Sequence, residues 1–371
     1  MKMNLYTSEF VSGGHPDKAS DRVSDACLDQ LLTIAVENGY HGSVCRCAVE
    51  TLMKGNLVVV SGEIAAPEDV LAKFSVDEAV FTAWEKAGYR HQGPPVVLNY
   101  VKPQSAEIAS LVDGEGVGAG AGDQGIMCGF AYRNGATYMP PEYEFSRGLI
   151  ERLDELRLSG ELPYLRSDAK SQVSLDADGV PHAIVISTQH SDEVSLAELR
   201  EQVMERVVVP VVGDVSDEIV KINFKGSFVL GGSAADCGLT GRKIVVDQYG
   251  PRTFVGGGAF SGKDATKVDR SAAYMARLIA KNALVKAFPD STSVSLQIAY
   301  GIGQLQPSSV LATLDCGTDI SGWVHDNYED LSPGSIQSAL GLWDRNGWSY
   351  SDTAAMGHFG RDCFPWEKLS D

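Results

Sequence analysis

No apolar run in this chain approaches the roughly 18 residues of a membrane span, so no transmembrane helix is expected. Cysteine is sparse and unpatterned. The seven are an odd number scattered over 371 residues, and the one close pair, Cys45 and Cys47, has C-x-C rather than C-x-x-C spacing. Neither a disulfide framework nor a Cys/His zinc site is indicated, and the thiols are expected to be reduced and packed. The opening MKMNLYTSEF has no apolar stretch of signal-peptide length, which points to a cytoplasmic protein. A G-x-S-x-G elbow is also missing, leaving nucleophilic catalysis by serine unsupported. Positive charge is in deficit: 31 Lys and Arg against 49 Asp and Glu leave −18. A surface that grips nucleic acid or an anionic membrane is therefore not expected.

What is present suits a globular chain of two or three domains, 44% hydrophobic and 22% charged. One segment reverses the charge balance. Between Lys221 and Phe288, eleven basic residues face four acids, a local +7. Arg242, Lys243, Lys263, Lys267 and Arg270 lie there among glycines, where backbone can approach a ligand closely. A compact anion such as a polyphosphate fits this better than a long polyanion.

The hydrophobic pattern predicts a helix from Pro16 to about Glu37, stopped by Asn38-Gly39, then strands Val44 to Met53 and Leu57 to Ala65, then a helix from Pro67 to Gly88. The order recurs as a helix at Tyr143 to Leu158, strands Ser171 to Leu175 and His182 to Gln189, and a helix from Ser195 to about Val208. A third copy has a helix from Lys263 to Phe288, strands Ser293 to Tyr300 and Ser308 to Leu314, and a helix from Tyr328 to Trp343 broken at Pro333-Gly334. Copies begin about 125 residues apart, which suggests three related α+β units. Linkers are expected near Gln104 to Gly125 and Gly226 to Gly232.

Gly114 to Gly125, GEGVGAGAGDQG, matches G-x-G-x-x-G formally, but a strand is expected after it, where a dinucleotide fold needs a helix. Asp123 within it either caps a turn or faces a ligand. Gly257 to Lys263, GGAFSGK, has the spacing of a phosphate loop, with Asp264 in place of the magnesium-binding hydroxyl. On the expected helix, Lys263, Lys267 and Arg270 would share one face at its N-terminus. Three cations there disfavour the helix unless a bound polyphosphate or carboxylates from elsewhere neutralise them. His15-Pro16-Asp17-Lys18 opens the first helix, and Asp17 with Asp269 could supply the one or two carboxylates that magnesium takes while keeping water and phosphate oxygens.

Taken together, SGGHPDK (12–18), GAGDQG (120–125), DAKSQV (168–173), STQHS (187–191), DCGLTGRK (236–243) and GGGAFSGKDATKVDRSAAY (256–274) closely resemble the S-adenosylmethionine synthetase family over nearly the whole chain. The resemblance implies an α+β fold of three interleaved subdomains with pseudo-threefold symmetry, each with helices on a mainly antiparallel sheet. Boundaries would fall at 3–103, 116–231 and 233–366. It implies synthesis of S-adenosyl-L-methionine from ATP and L-methionine, releasing phosphate and diphosphate, by a homodimer or homotetramer whose active sites are shared between subunits. Two Mg²⁺ and one K⁺ per site would assist.

Carried over by motif, His15, Asp168, Ala169, Lys170, Ser227, Phe228, Asp236, Arg242, Lys243, Ala259 and Lys263 would line the ATP site. Glu63, Gln104, Asp123, Asp236 and Lys267 would lie at the methionine side. Asp17 and Asp269 would hold magnesium from opposite subunits, and Glu50 would be near potassium. His15, Lys170, Arg242, Lys263 and Lys267 are the expected catalytic set. Gly13 stands where the family usually has Glu, Ser227 where it usually has Arg, and 101–108 departs from the usual gating segment. In the implied reaction a neutral sulfur attacks C5′ and expels triphosphate, so the protein must align three atoms and stabilise the departing charge.

Overall fold

A computed structural model describes residues 4–104, 120–135 and 137–369. The first unit opens with β1 (Tyr6–Val11) and α1 (Pro16–Glu37), followed by β2 (Arg46–Lys54), β3 (Leu57–Ala65), α2 (Glu68–Leu71), α3 (Val76–Lys86) and β4 (Val96–Pro103). The middle of the chain supplies β5 (Gly125–Tyr132), α4 (Pro141–Leu158), β6 (Leu165–Leu175), β7 (Pro181–His190), α5 (Leu196–Val203) and β8 (Val220–Ile222). The last part supplies β9 (Gly238–Leu239), α6 (Val268–Asn282), β10 (Ser293–Tyr300), β11 (Ser309–Leu314), α7 (Ser321–Asn327) and α8 (Pro333–Ala339).

The strands form three sheets in the orders β1-β6-β7-β8, β11-β10-β5 and β4-β3-β2-β9. Each takes strands from two parts of the chain, which is the interleaving. The fold is α+β as expected: α4 packs on β1 and β6, α6 on β5 and β10, and α1 on β2. Pairing is mainly antiparallel, with β3–β4 and β7–β8 parallel. Three apolar stripes thus face three sheets, and they merge into one buried cluster running from Phe10 to Trp366.

Several expected bounds shift, each for a local reason. The helix expected over Pro67 to Gly88 divides at Ser75, whose hydroxyl accepts from the Glu78 amide and so caps a new helix. The one expected over Tyr328 to Trp343 begins at Pro333, with Ser332 as cap and a separate α7 before it. The helix expected from Lys263 begins only at Val268. Asp264 turns its carboxylate onto the Cys47 and Thr266 amides, so residues 263–267 bond across to β2 instead of winding. The stretch 226–232 has no strand, yet it is packed as well as connecting: Gly232 donates to Asp168 and Phe228 to His190. The gating segment beyond Gln104 and the glycine loop up to residue 119 lie outside the described residues.

Candidate active site

The entry to α1 is held from three sides. The Ser12 hydroxyl donates to the Ser167 carbonyl at 2.5 Å and accepts from the Ala169 amide at 2.8 Å. At Gly14 a Cβ would lie 2.4 Å from the Ser167 side chain, so a bare backbone is required there. Tyr89 donates its hydroxyl to the Gly14 carbonyl at 2.7 Å. His15 then caps the helix, its Nδ1 accepting from the Asp17 amide at 3.2 Å. That bond leaves the ring proton on Nε2. Burial, reinforced by Lys243 and Lys170, lowers the His15 pKa to about 3, so the imidazole is neutral near pH 7.

Asp17, in the first turn of the helix, accepts from the Leu239 amide at 3.0 Å and from Lys243 Nζ at 2.6 Å, with Arg242 Nε at 3.6 Å. Burial works to raise its carboxyl, but Lys243 and the Leu239 amide outweigh it and hold the pKa below the ordinary value. Asp168 accepts from the Gly232 amide at 2.7 Å, and burial pushes it up to about 6. Its Oδ1 is buried without a hydrogen-bond partner among the described residues, an acceptor open to a ligand hydroxyl. Lys170 acts electrostatically on both His15 and Asp168, and so does exposed Asp236. Ala169 lies on β6 between them and Ser12, opposite Thr188. Phe228 is fixed by its amide donating to His190 Nε2 at 3.1 Å, with exposed Ser227 beside it. The expected nucleotide residues of the first helix, β6 and the 227–243 stretch therefore converge.

A second cluster sits at the other end of the expected set. Lys263 Nζ meets Asp269 Oδ2 at 2.6 Å, and Lys267 Nζ meets Asp264 Oδ2 at 2.8 Å. Lys263 lines a cavity of about 360 Å³ with Glu50, Thr240 and Ala259. Glu50 is exposed on the face of the β4-β3-β2 sheet turned away from α1, in register with Ser61 and Tyr100, and Glu63 shares that face opposite Ala48. Gln104 follows β4, its amide donating to the Ile64 carbonyl. Among the described residues, no hydrogen bond or ion pair joins this cluster to the Asp17 group. A separate cavity of about 900 Å³ beside β8, lined by Arg200, Met204 and Phe224, contains none of these residues.

One expectation needs correction. Lys263, Lys267 and Arg270 do not present three free cations at a helix start: each has a carboxylate, and Arg270 is wholly buried against Asp25 at 2.8 Å. Asp123 is exposed, and its Oδ1 accepts from the Gln124 amide at 2.7 Å. Residues that sequence reasoning passed over are Asp21 and Asp25, whose signal was available in the spacing Asp17, Asp21, Asp25, Asp29.

As oxygen donors, Asp17 and Asp269 are of the type magnesium accepts. Among the described residues no three His, Cys, Asp or Glu side chains cluster as a metal cage.

A neutral donor, an acidic helix entry and lysines paired with carboxylates, set on three interleaved α+β units, suit an enzyme that handles a polyanionic substrate. The sequence comparisons make that class specific. The chain belongs to the S-adenosylmethionine synthetase family: the models of its N-terminal, central and C-terminal domains match residues 3–106, 118–228 and 230–368. It is 40% identical to the S-adenosylmethionine synthase of Mycoplasmopsis pulmonis (strain UAB CTIP) over all of this chain and 97% of the relative. It is 42% identical to that of Paramagnetospirillum magneticum (strain ATCC 700264 / AMB-1), over 98% and 96%.

Proposed function

We propose that this chain makes S-adenosyl-L-methionine from ATP and L-methionine by displacing intact triphosphate at C5′ and then hydrolysing it to phosphate and diphosphate. Synthesis follows from family membership; the route is what the site's chemistry adds. The methionine sulfur forms the new bond to C5′, and the C5′–O bond breaks with its electron pair leaving on triphosphate. The observation that carries this reading is the neutral His15 ring, its Nε2 proton unclaimed, beside Lys243 and Arg242 at one helix entry. With ATP labelled by ¹⁸O at the 5′ bridging position, all label should leave with the phosphates. Label retained in a nucleoside product would overturn the route.

The lysines now on Asp17 and Asp269 are the groups that would meet phosphate oxygens, and those carboxylates are the ones that would hold magnesium, whose charge helps neutralise the triphosphate. Lys170 and Lys267 complete the cationic set. Glu63, Gln104 and Asp236 would favour the methionine ammonium, and Glu50 would lie near potassium. A kinase reading fits less well, because Lys263 precedes the helix by a bridged strand-like segment opposite Ala48.

Self-association with shared sites belongs to the same reading. Leu52, Leu98 and Tyr100 are exposed on the sheet face that also carries Glu50 and Glu63, so the second half of the site borders uncovered apolar surface. Cytoplasmic residence is supported by seven free cysteines, and no helix among the described residues is long and apolar enough to cross a membrane.

Replacing Lys263 with methionine should slow both adenosyl transfer and cleavage of added tripolyphosphate, by about 10²-fold each if it is a main charge donor. Rapid-quench measurement of the two steps checks this. Loss of one step alone would show that they do not share a cationic cradle.

A further inference from the structure

Four aspartates recur at every fourth residue of α1, and each accepts backbone amides from beyond residue 238. Asp17 takes the Leu239 amide, Asp21 that of Gly241 at 2.8 Å, Asp25 that of Gly262 at 2.8 Å, and Asp29 those of Tyr350 and Ser351. Like charges at this spacing destabilise a helix by themselves, so the row needs its partners. Lys18 answers Asp21, Arg270 answers Asp25 and Arg345 answers Asp29. With a rise of about 1.5 Å per residue, successive rungs stand about 6 Å apart.

The two middle rungs share a further feature. Gly241 and Gly262 both have left-handed backbone, φ +80° and +82°, and each directly precedes a cation: Arg242-Lys243 in one case, Lys263 in the other. A Cβ at Gly241 would lie 2.7 Å from that of Ala259, and one at Gly262 would lie 1.9 Å from the Val49 carbonyl oxygen. Asp25 and the Arg270 paired with it bracket Gly262-Lys263, Asp25 accepting from the Gly262 amide and Arg270 donating to the Lys263 carbonyl at 2.8 Å. Asp21 and Asp25 are wholly buried, so neither is placed to touch a substrate.

We propose that Asp21 and Asp25 are positioning residues for the phosphate-binding cations, α1 serving as a rigid spine that pins each cation-bearing loop at the glycine before its cation. The claim rests on the function proposed above, in that Arg242, Lys243 and Lys263 are taken to meet ATP. It differs from a general stabilising role because the carboxylate acts through one amide, and that acceptor can be separated from its charge.

Asp21 offers the test. In Asp21→Asn a carbonyl can still accept from the Gly241 amide while the charge facing Lys18 is lost; in Asp21→Glu the charge is kept and the acceptor is displaced by a methylene. Positioning predicts that the Glu variant raises the KM for ATP and the Kd for AMP-PNP about tenfold or more, the Asn variant about threefold or less, and neither moves the methionine KM beyond about twofold. Thermal unfolding first establishes that each variant is folded at the assay temperature. If the Glu variant is not, Asp21→Ala replaces it with the same expected loss relative to Asn. An Asn variant as impaired as its counterpart, or unchanged nucleotide affinity in both, would overturn the proposal. AMP-PNP binding does not require sulfonium formation. Wild-type protein that bound it yet made no S-adenosylmethionine would sink the reaction and leave positioning to be decided by the Kd pattern.

Discussion

His15→Ala should slow formation of the carbon–sulfur bond by about two to three decades, the effect of removing one preorganised donor from a developing oxyanion. The histidine is suited to that task by its surroundings. Its ring is buried, its Nδ1 is occupied by the Asp17 amide, and its pKa is driven down to about 3 by burial together with Lys243 and Lys170. It is therefore expected to act as a neutral Nε2–H donor throughout the working range, not as a cation. This gives a second readout. A cationic role would make the rate fall as pH rises past 6.5, whereas a neutral donor leaves the wild-type rate without a histidine limb between pH 5 and 8. Single-turnover quench measurements on both proteins decide the matter. An unchanged rate in the variant removes His15 from the chemistry, and a histidine limb near neutrality would show that the ring works charged.

Legibility from sequence followed the range of the forces involved. The first helix, Pro16–Glu37, is legible at both ends because Pro16, the apolar stripe and Asn38-Gly39 are all local signals. Hairpin β2–β3 and strands β10 and β11 were legible for the same reason. The start of α6 was not, because Asp264 is recruited by an amide 217 residues earlier, and the burial of Arg270 depends on Asp25, 245 residues away. Strand exchange among the sheets was equally hidden, since a strand's periodicity does not say which sheet it joins. At the site, motif resemblance found His15, Asp17, Asp168 and Lys243, which the fold brings together. It did not point to Asp21 and Asp25, which besides their pairing with Lys18 and Arg270 accept backbone amides from distant loops, contacts that no local pattern announces. Their spacing was in view, but the helix was judged by its apolar stripe.

Glu367→Gln should cost about 3–5 kcal/mol of stability, the usual penalty for stranding buried charge. Glu367 lies in the short turn Pro365–Glu367 near the end of the described chain, yet it meets the middle of α6. Arg277 donates to both of its oxygens at 2.9 Å, Lys281 Nζ lies 3.0 Å from Oε2, and the Gly360 amide donates to Oε1 at 2.7 Å. Arg277 reaches on to the carbonyls of Phe130, Thr137 and Tyr138, so one carboxylate balances the guanidinium that joins α6 to β5. All three charged side chains are almost wholly buried, and neutralising the acid leaves two interior cations uncompensated. The pH dependence follows from the same contacts. Burial would raise the Glu367 carboxyl, but Arg277 and Lys281 outweigh it and hold the folded pKa below the ordinary 4.5. Its contribution is thus complete above pH 4.5 and is lost as pH falls through the lower folded value. Urea midpoints for wild type and variant should stand far apart at pH 7 and draw together below pH 4.5. A gap of less than about 1 kcal/mol at pH 7, the range of an exposed pair, would mean that water reaches the cluster and screens it. An equal gap at both pH values would assign the loss to packing instead, because a shape effect has no proton to release.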